Sequence, residues 1–333
     1  NEEAAQDVYE QSRMERLPGV SASLSENYNH VENTGSNWNG SYSLSTSMTL
    51  YQGGNINSTI DQSKLRREQA PYRTSQYDNQ LTVQILQSFL SVLGTEELLK
   101  YQQTVAVASE EQMKQGQQLV KVGSILESDY LLLESQYVTD TTNIAQSIID
   151  RDNGLLNLKS LMSMDPLTPL EIVYPDSAII SELVQIPAED YVLERAMTTL
   201  PDLIISGYDV AIAEKGVNIA RSAYAPSLSL GGSIGSGHQQ NFAGYGNQLS
   251  DRFNQQVGLT LSIPIFNKGR TKCNVTQSRI TLRQAELDNK QTELDTRQTV
   301  VEEYLNVLAA ASKYEASAVK QNAYGKSFDA YRA

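Results

Sequence analysis

The chain has 333 residues, 40% hydrophobic and 20% charged, with a formal net charge of −13. That length allows one large or two ordinary domains, and an acidic balance with no basic stripe excludes nucleic acid as a partner. No run of 18 apolar residues occurs, which excludes a spanning helix but not a barrel, whose strands are weak signals one by one.

Residues 1–16 read as the end of a helix, stopped by Leu17-Pro18-Gly19. In the strand that follows, Val20, Ala22 and Leu24 alternate with Ser21, Ser23 and Ser25. Residues 26–37 read as a polar hairpin loop, and a second strand returns from Trp38. There Leu44, Thr46, Met48 and Leu50 point one way and Ser41, Ser43, Ser45, Ser47 and Thr49 the other, because side chains alternate along a strand. A soluble sandwich strand usually carries large or charged polar residues; here they are small hydroxyls. Trp38, Tyr42 and Tyr51 stand near the strand ends. Apolar outside, small and polar inside, aromatic at the rims is the pattern of a transmembrane barrel strand.

After the break at Gly53-Gly54 the pattern turns helical over about 55–119, with Leu81, Ile85, Phe89 and Val92 on one face. About 60 residues make a helix on the order of 90 Å long, which Pro71 should kink or interrupt. Val122-Gly123-Ser124 reverses the chain, and a second helix runs over about 124–162. Its stripe of Tyr130, Leu133, Tyr137, Ile144, Ile148, Leu155 and Leu158 is heptad-like and implies antiparallel coiled-coil packing. Residues 165–200 are a connector, proline-rich at first, with a short helix near Tyr191–Thr199; after a break at Pro201 comes a helix at about Ile204–Ala223.

The pattern then repeats. RMERLPGVSASLS matches RSAYAPSLSLGGS, pairing Arg13 with Arg221 at an offset of 208. MTLYQGG matches IPIFNKG, pairing Gly54 with Gly269 at an offset of 215; the difference of 7 is a longer second hairpin loop. QSKLRREQA matches QSRITLRQA at that offset. The second strand pair, about 225–266, carries Leu228, Leu230, Ile234, Val257, Leu259, Leu261, Ile263 and Ile265 on its apolar side, with Phe253 and Phe266 near its ends. Residues 1–164 therefore form a first repeat and 201–333 a second, whose long helix covers about 270–333. Offset 215 predicts a second tip glycine near position 338, so the sequence reads as a piece lacking its last helix and the start of its first.

Four transmembrane strands cannot close a barrel, and unpaired edges are not tolerated in lipid. The smallest usual closure needs eight strands, so a homo-oligomer is required. Two copies would give a narrow, filled barrel and three a twelve-stranded one; small inward residues favour three.

The duplicated strand–strand–long helix–tip–long helix unit resembles the TolC-like outer membrane efflux proteins. The residues that carry the likeness are LPGVSASLS and YAPSLSLGG, YQGG and FNKG, and the tip VGSILESD. The resemblance implies a homotrimer in the bacterial outer membrane: a 12-stranded β-barrel, four strands per chain, continued by a long α-helical coiled-coil barrel into the periplasm. It implies a passive exit duct for efflux or type I secretion, partnered by a periplasmic adaptor (a membrane fusion protein), an inner-membrane RND or ABC transporter and outer-membrane lipid. By the same resemblance Val122, Gly123, Ser124 and Ile125 are the adaptor-contacting tip, and Asp129, Ser128 and Gln112 are gate residues. In the family the partner of Gln112 is acidic, whereas this chain places Arg332 there.

An enzyme is the first rival. His30 and His238 fall in the expected polar loops, the lone Cys273 has no ligand spacing around it, and no nucleophile elbow, phosphate loop or dinucleotide fingerprint occurs. No enzyme activity, cofactor or metal is expected. The second rival is a trimeric coiled-coil scaffold of the cell envelope, which leaves the serine-faced strands unexplained.

Overall fold

The structure, a computed structural model, describes residues 2–32, 35–174, 186–239 and 244–332. In chain order the elements are α1 Glu2–Met14, β1 Gly19–Val31, β2 Gly35–Gln52, α2 Asn55–Lys121, α3 Glu127–Leu161, α4 Glu189–Thr199, α5 Pro201–Ser222, β3 Ser227–Gln239, α6 Tyr245–Asp251, β4 Asn254–Ser262 and α7 Arg270–Arg332. They form two compact units, Asn1–Ser75 with Pro187–Ala333, and Gln76–Ile186. Among the described residues no helix is long and apolar enough to cross a membrane.

In the first unit the four strands make one antiparallel sheet of order β1-β2-β3-β4. Both hairpins thus join edge to edge through β2 and β3, and β1 and β4 each have a single neighbour within the chain. The expected loop at 26–37 is mostly strand. Asn27, Tyr28, Asn29 and His30 lie opposite Asn39, Trp38, Asn37 and Ser36. Polar composition does not break this ladder because the side chains bond across it: the Tyr28 hydroxyl and His30 Nδ1 both meet Ser36 Oγ, at 2.8 and 3.0 Å. His30 and His238 therefore sit in strands, not in the loops expected for them. At the other end β4 stops at Ser262. Pro264 lacks a backbone donor, so Ile263, Ile265 and Phe266 fall beyond the ladder rather than within the expected strand. The extra length of the second hairpin holds α6, tied back by Gln248 Oε1, which accepts the Gln239 backbone N–H at 2.7 Å.

Each β-to-long-helix junction uses the same backbone turn. Gly53 and Gly54 have φ of 58° and 80°, and at offset 215 Lys268 and Gly269 have 56° and 77°. In each, the residue four beyond the second turn residue donates back to it at 3.0 Å, Ser58 to Gly54 and Cys273 to Gly269. Gly53 is doubly constrained, since a Cβ there would also lie 2.7 Å from the Ser222 carbonyl oxygen.

Residues 55–75 of α2 pack antiparallel to α5. Asp61 pairs with Lys215 at 2.9 Å, Gln62 Nε2 donates to the Ile212 carbonyl at 3.0 Å, and buried Gln69 donates to the Ile205 carbonyl and to Asp209 at 3.0 and 2.7 Å. The helix runs unbroken through Pro71, where Tyr72 rests on Tyr208 with ring centroids 5.9 Å apart. This lateral packing holds the backbone where the proline removes one internal hydrogen bond. Pro201 opens α5 as its first residue, a position whose N–H is unpaired in any helix.

In the second unit α2 and α3 run antiparallel. Asn157 Nδ2 donates to Ser88 Oγ at 3.2 Å, and Val92, 1% exposed, lies against Gly154. Nearer the turn Gly116 lies against Leu133. Of the expected α3 stripe, Leu158 is buried, Ile148 is exposed, and the other members are half-buried. Tyr174, beyond α3, donates to Glu96 at 3.2 Å and lies under Lys100, whose Nζ stands 4.5 Å from the ring.

Candidate functional site

The two faces of the sheet differ in chemistry. On one, hydroxyls are directly paired: Ser21 with Ser45 and Ser23 with Ser43, hydrogen-bonded at 2.8 and 2.7 Å. The row continues through Ser233 and Gly235 of β3, opposite Ser45 and Ser43. On β1, β2 and β3 no side chain bulkier than serine or threonine stands on this face in the rows from Ser41 to Thr49, and on β4 the row adds the amides Asn254 and Gln256. The other face is aliphatic and uncovered in the single chain: Val20 is 67% exposed, Leu24 76%, Val257 82% and Leu259 63%. An aliphatic sheet face of this extent needs an apolar solvent, whereas the hydroxyl face is wetted at no cost.

A β-bulge between Thr49 and Tyr51 brings Tyr51 opposite Leu228. Strict alternation from Leu50 would put this aromatic among the hydroxyls; the bulge returns it to the aliphatic face. Trp38 and Tyr51 are about half exposed near opposite ends of β2, and Tyr42 is half-buried. Phe253 immediately precedes β4, and Phe266, 84% exposed, follows it.

Sequence reasoning missed a cluster at the loop end of the aliphatic face. Glu26, Gly40 and His238 lie side by side on β1, β2 and β3. Glu26 and His238 meet over the glycine, Oε2 to Nε2 at 3.5 Å. Glu26 also accepts Trp38 Nε1–H at 2.8 Å and the Tyr42 hydroxyl. Four polar or aromatic side chains thus terminate the aliphatic face. The signal was a lone carboxylate in the alternating set Val20, Ala22, Leu24; His238, 212 residues away, had none.

The α2–α3 turn is built on Gly123, φ 74°. Ser124 N–H donates to the Leu119 carbonyl at 2.8 Å and Gly123 N–H to that of Val120 at 2.9 Å, the two bonds of a Schellman motif. Val122 and Leu126 are exposed at 73% and 70% while Ile125 is half-buried, so the turn presents aliphatic groups to its surroundings. Ser128 and Asp129 lie in the first turn of α3, where a helix N-terminus favours negative charge. Both are exposed, as is Gln112 on α2, and among the described residues their side chains make no hydrogen bond or ion pair within the chain. Among the described residues no hydrogen bond joins Gln112 to Asp129. The side chain of Arg332 lies outside the described residues. Among those residues no group of three His, Cys, Asp or Glu is arranged to hold a metal.

A four-stranded sheet with one aliphatic and one hydroxyl face, joined through paired turns to helices of 67 and 63 residues, is the protomer fold of outer-membrane channels. CusC, described as forming a transmembrane channel, superposes with a TM-score of 0.73 at 17% identity, covering 95% of this chain and 74% of that one. The Campylobacter jejuni CmeC outer membrane channel gives 0.73 at 17% identity over 92% and 67% of the two chains. A Pseudomonas aeruginosa membrane protein gives 0.72 at 20% identity over 95% and 73%. A sequence search of curated proteins finds no significant match. The model of the outer membrane efflux protein family matches residues 1–162 and 192–333, and the chain belongs to that family. It is thus an outer-membrane protein with a periplasmic extension, and its family is one of efflux ducts rather than of enzymes.

Proposed function

We propose that three copies of this chain close a twelve-stranded barrel and serve as the passive exit duct of a tripartite efflux or type I secretion system. The observation that carries this reading is the sheet itself. It has two edges with open ladders, an aliphatic face that only lipid satisfies, and a face of small hydroxyls suited to a water-filled lumen. Trp38, Tyr42, Tyr51, Phe253 and Phe266 would mark the two membrane interfaces. The exposed aliphatic turn, Val122 to Ile125, is a surface for a periplasmic adaptor, which would link the duct to an inner-membrane transporter.

The duct has no chemical step, so its control is conformational. Asp129, Ser128 and Gln112 have unused hydrogen-bonding groups at the turn end of the hairpin, available to a neighbouring protomer. Links of this kind would hold the periplasmic entrance narrow. Asp129→Ala should then raise single-channel conductance in planar bilayers several-fold, whereas unchanged conductance removes Asp129 from the gate.

A further inference from the structure

The sheet is charge-polarised against the balance of the whole chain. In residues 11–18, 53–60, 219–226 and 263–272, which flank the strands on their helix side, the cations are Arg13, Arg16, Arg221, Lys268, Arg270 and Lys272, and the sole acid is Glu15. The chain as a whole has 39 acids against 26 cations. All six cations are exposed. The loop end is the reverse, with Glu26, Glu32 and Asp251 against Arg252.

Arg16 is attached to the aliphatic face itself. It shares a groove of about 290 Å³ with Met48, Leu50, Tyr51 and Asn57. Its Nη2 donates to Asn57 Oδ1 at 2.8 Å, which occupies one of five guanidinium donors. The groove therefore joins an apolar wall to a cation, as an acyl chain and its phosphate require. Beyond β4, Ile263, Ile265 and Phe266 are 61%, 95% and 84% exposed, and Lys268, Arg270 and Lys272 follow. The order is again apolar anchor, then cations.

We propose that this helix-side belt binds the phosphate headgroup of an anionic phospholipid in the periplasmic leaflet. The inference rests on the trimer reading above. When β4 of one protomer pairs antiparallel with β1 of the next, the end of β4 meets the start of β1. Lys268, Arg270 and Lys272 then approach Arg13 and Arg16; of the acids nearest them, Glu15 is exposed, Glu10 accepts from Gln6 and Asp61 is paired with Lys215. Five like charges at a seam repel unless an anion sits among them, and the apolar groove beside Arg16 supplies the place for its acyl chain. The helix side of the sheet is the periplasmic side, so the source is phospholipid rather than outer-leaflet glycolipid.

The test is native mass spectrometry of the detergent-purified protein titrated with palmitoyl-oleoyl phosphatidylglycerol or the matching phosphatidylethanolamine. The expected result is a trimer that retains phosphatidylglycerol preferentially. Arg16→Gln/Lys268→Gln/Arg270→Gln should weaken that retention on the order of a hundredfold, at roughly fivefold per cation, while Lys100→Gln leaves it unchanged. Raising salt should weaken it too. Equal retention of the two lipids, or a triple variant that binds as the parent does, overturns the proposal while leaving the trimer standing. A monomer mass under conditions that preserve folding overturns both.

Discussion

The sheet and the α2–α3 hairpin both expose aliphatic side chains, yet the exposure has different causes. In the sheet Val20, Leu24, Val257, Leu259 and Leu261 fall on one face and the hydroxyls on the other. In the hairpin Leu126, Leu131, Leu132 and Val138 are also exposed, but beside charged and amide side chains such as Glu127, Glu134 and Gln136. A segregated apolar face defines a solvent, whereas a mixed one defines at most a contact with another protein. The same substitution at two exposed leucines should therefore diverge. Leu259→Lys should cost about 2–4 kcal/mol of membrane folding stability near mid-bilayer, read as loss of heat-modifiable barrel in outer-membrane fractions. Leu132→Lys should leave barrel assembly unchanged. Equal effects would erase the distinction between the two regions.

The next largest effect belongs to the hairpin. A side chain at Gly154 meets Val92 Cγ2 at 2.7 Å from its Cβ alone, and Val92 is the most completely buried large side chain of the described residues. Gly154→Leu should destabilise the α2–α3 packing by about 1–3 kcal/mol, seen as faster amide exchange in α3 with exchange in the β-strands unaltered.

The smallest is electrostatic. The ammonium of Lys100 hydrogen-bonds Glu97 at 2.8 Å and, with Tyr174, holds that carboxyl below its ordinary value. A depressed folded-state pKa contributes stability above the unfolded value that is lost as pH falls through the folded one. Because the pair is exposed, Glu97→Gln should shift the acid limb of the unfolding curve only slightly. A large shift would mean that the hairpin depends on this pair more than its exposure implies.

Much of this architecture was legible because the strands carry two independent patterns. Alternation assigned the faces, and the 208 and 215 offsets tied Arg13 to Arg221 and Gly54 to Gly269. The left-handed turns at Gly53-Gly54 and Lys268-Gly269 show why the second offset is so regular. What was not legible came from partners distant in sequence. Nothing local says that Glu26 meets His238, that Tyr51 is turned by a bulge, or that polar residues 26–31 and 35–37 stay in register through bonds to Ser36. Pro264 was visible, but its ending of β4 before Phe266 was hidden by the continuing apolar alternation. The gate role proposed for Asp129 and Gln112 came only from resemblance, since among the described residues their side chains make no hydrogen bond or ion pair within the chain.

The most direct test compares adjacent residues on opposite faces of β2. In a Cys273→Ser background, which removes the single native cysteine, Ser43→Cys and Leu44→Cys are each expressed in outer membranes and treated with a water-soluble maleimide. The account predicts labelling at 43, on a water-filled lumen, and protection at 44, against lipid. Labelling at 44 with protection at 43 would contradict it.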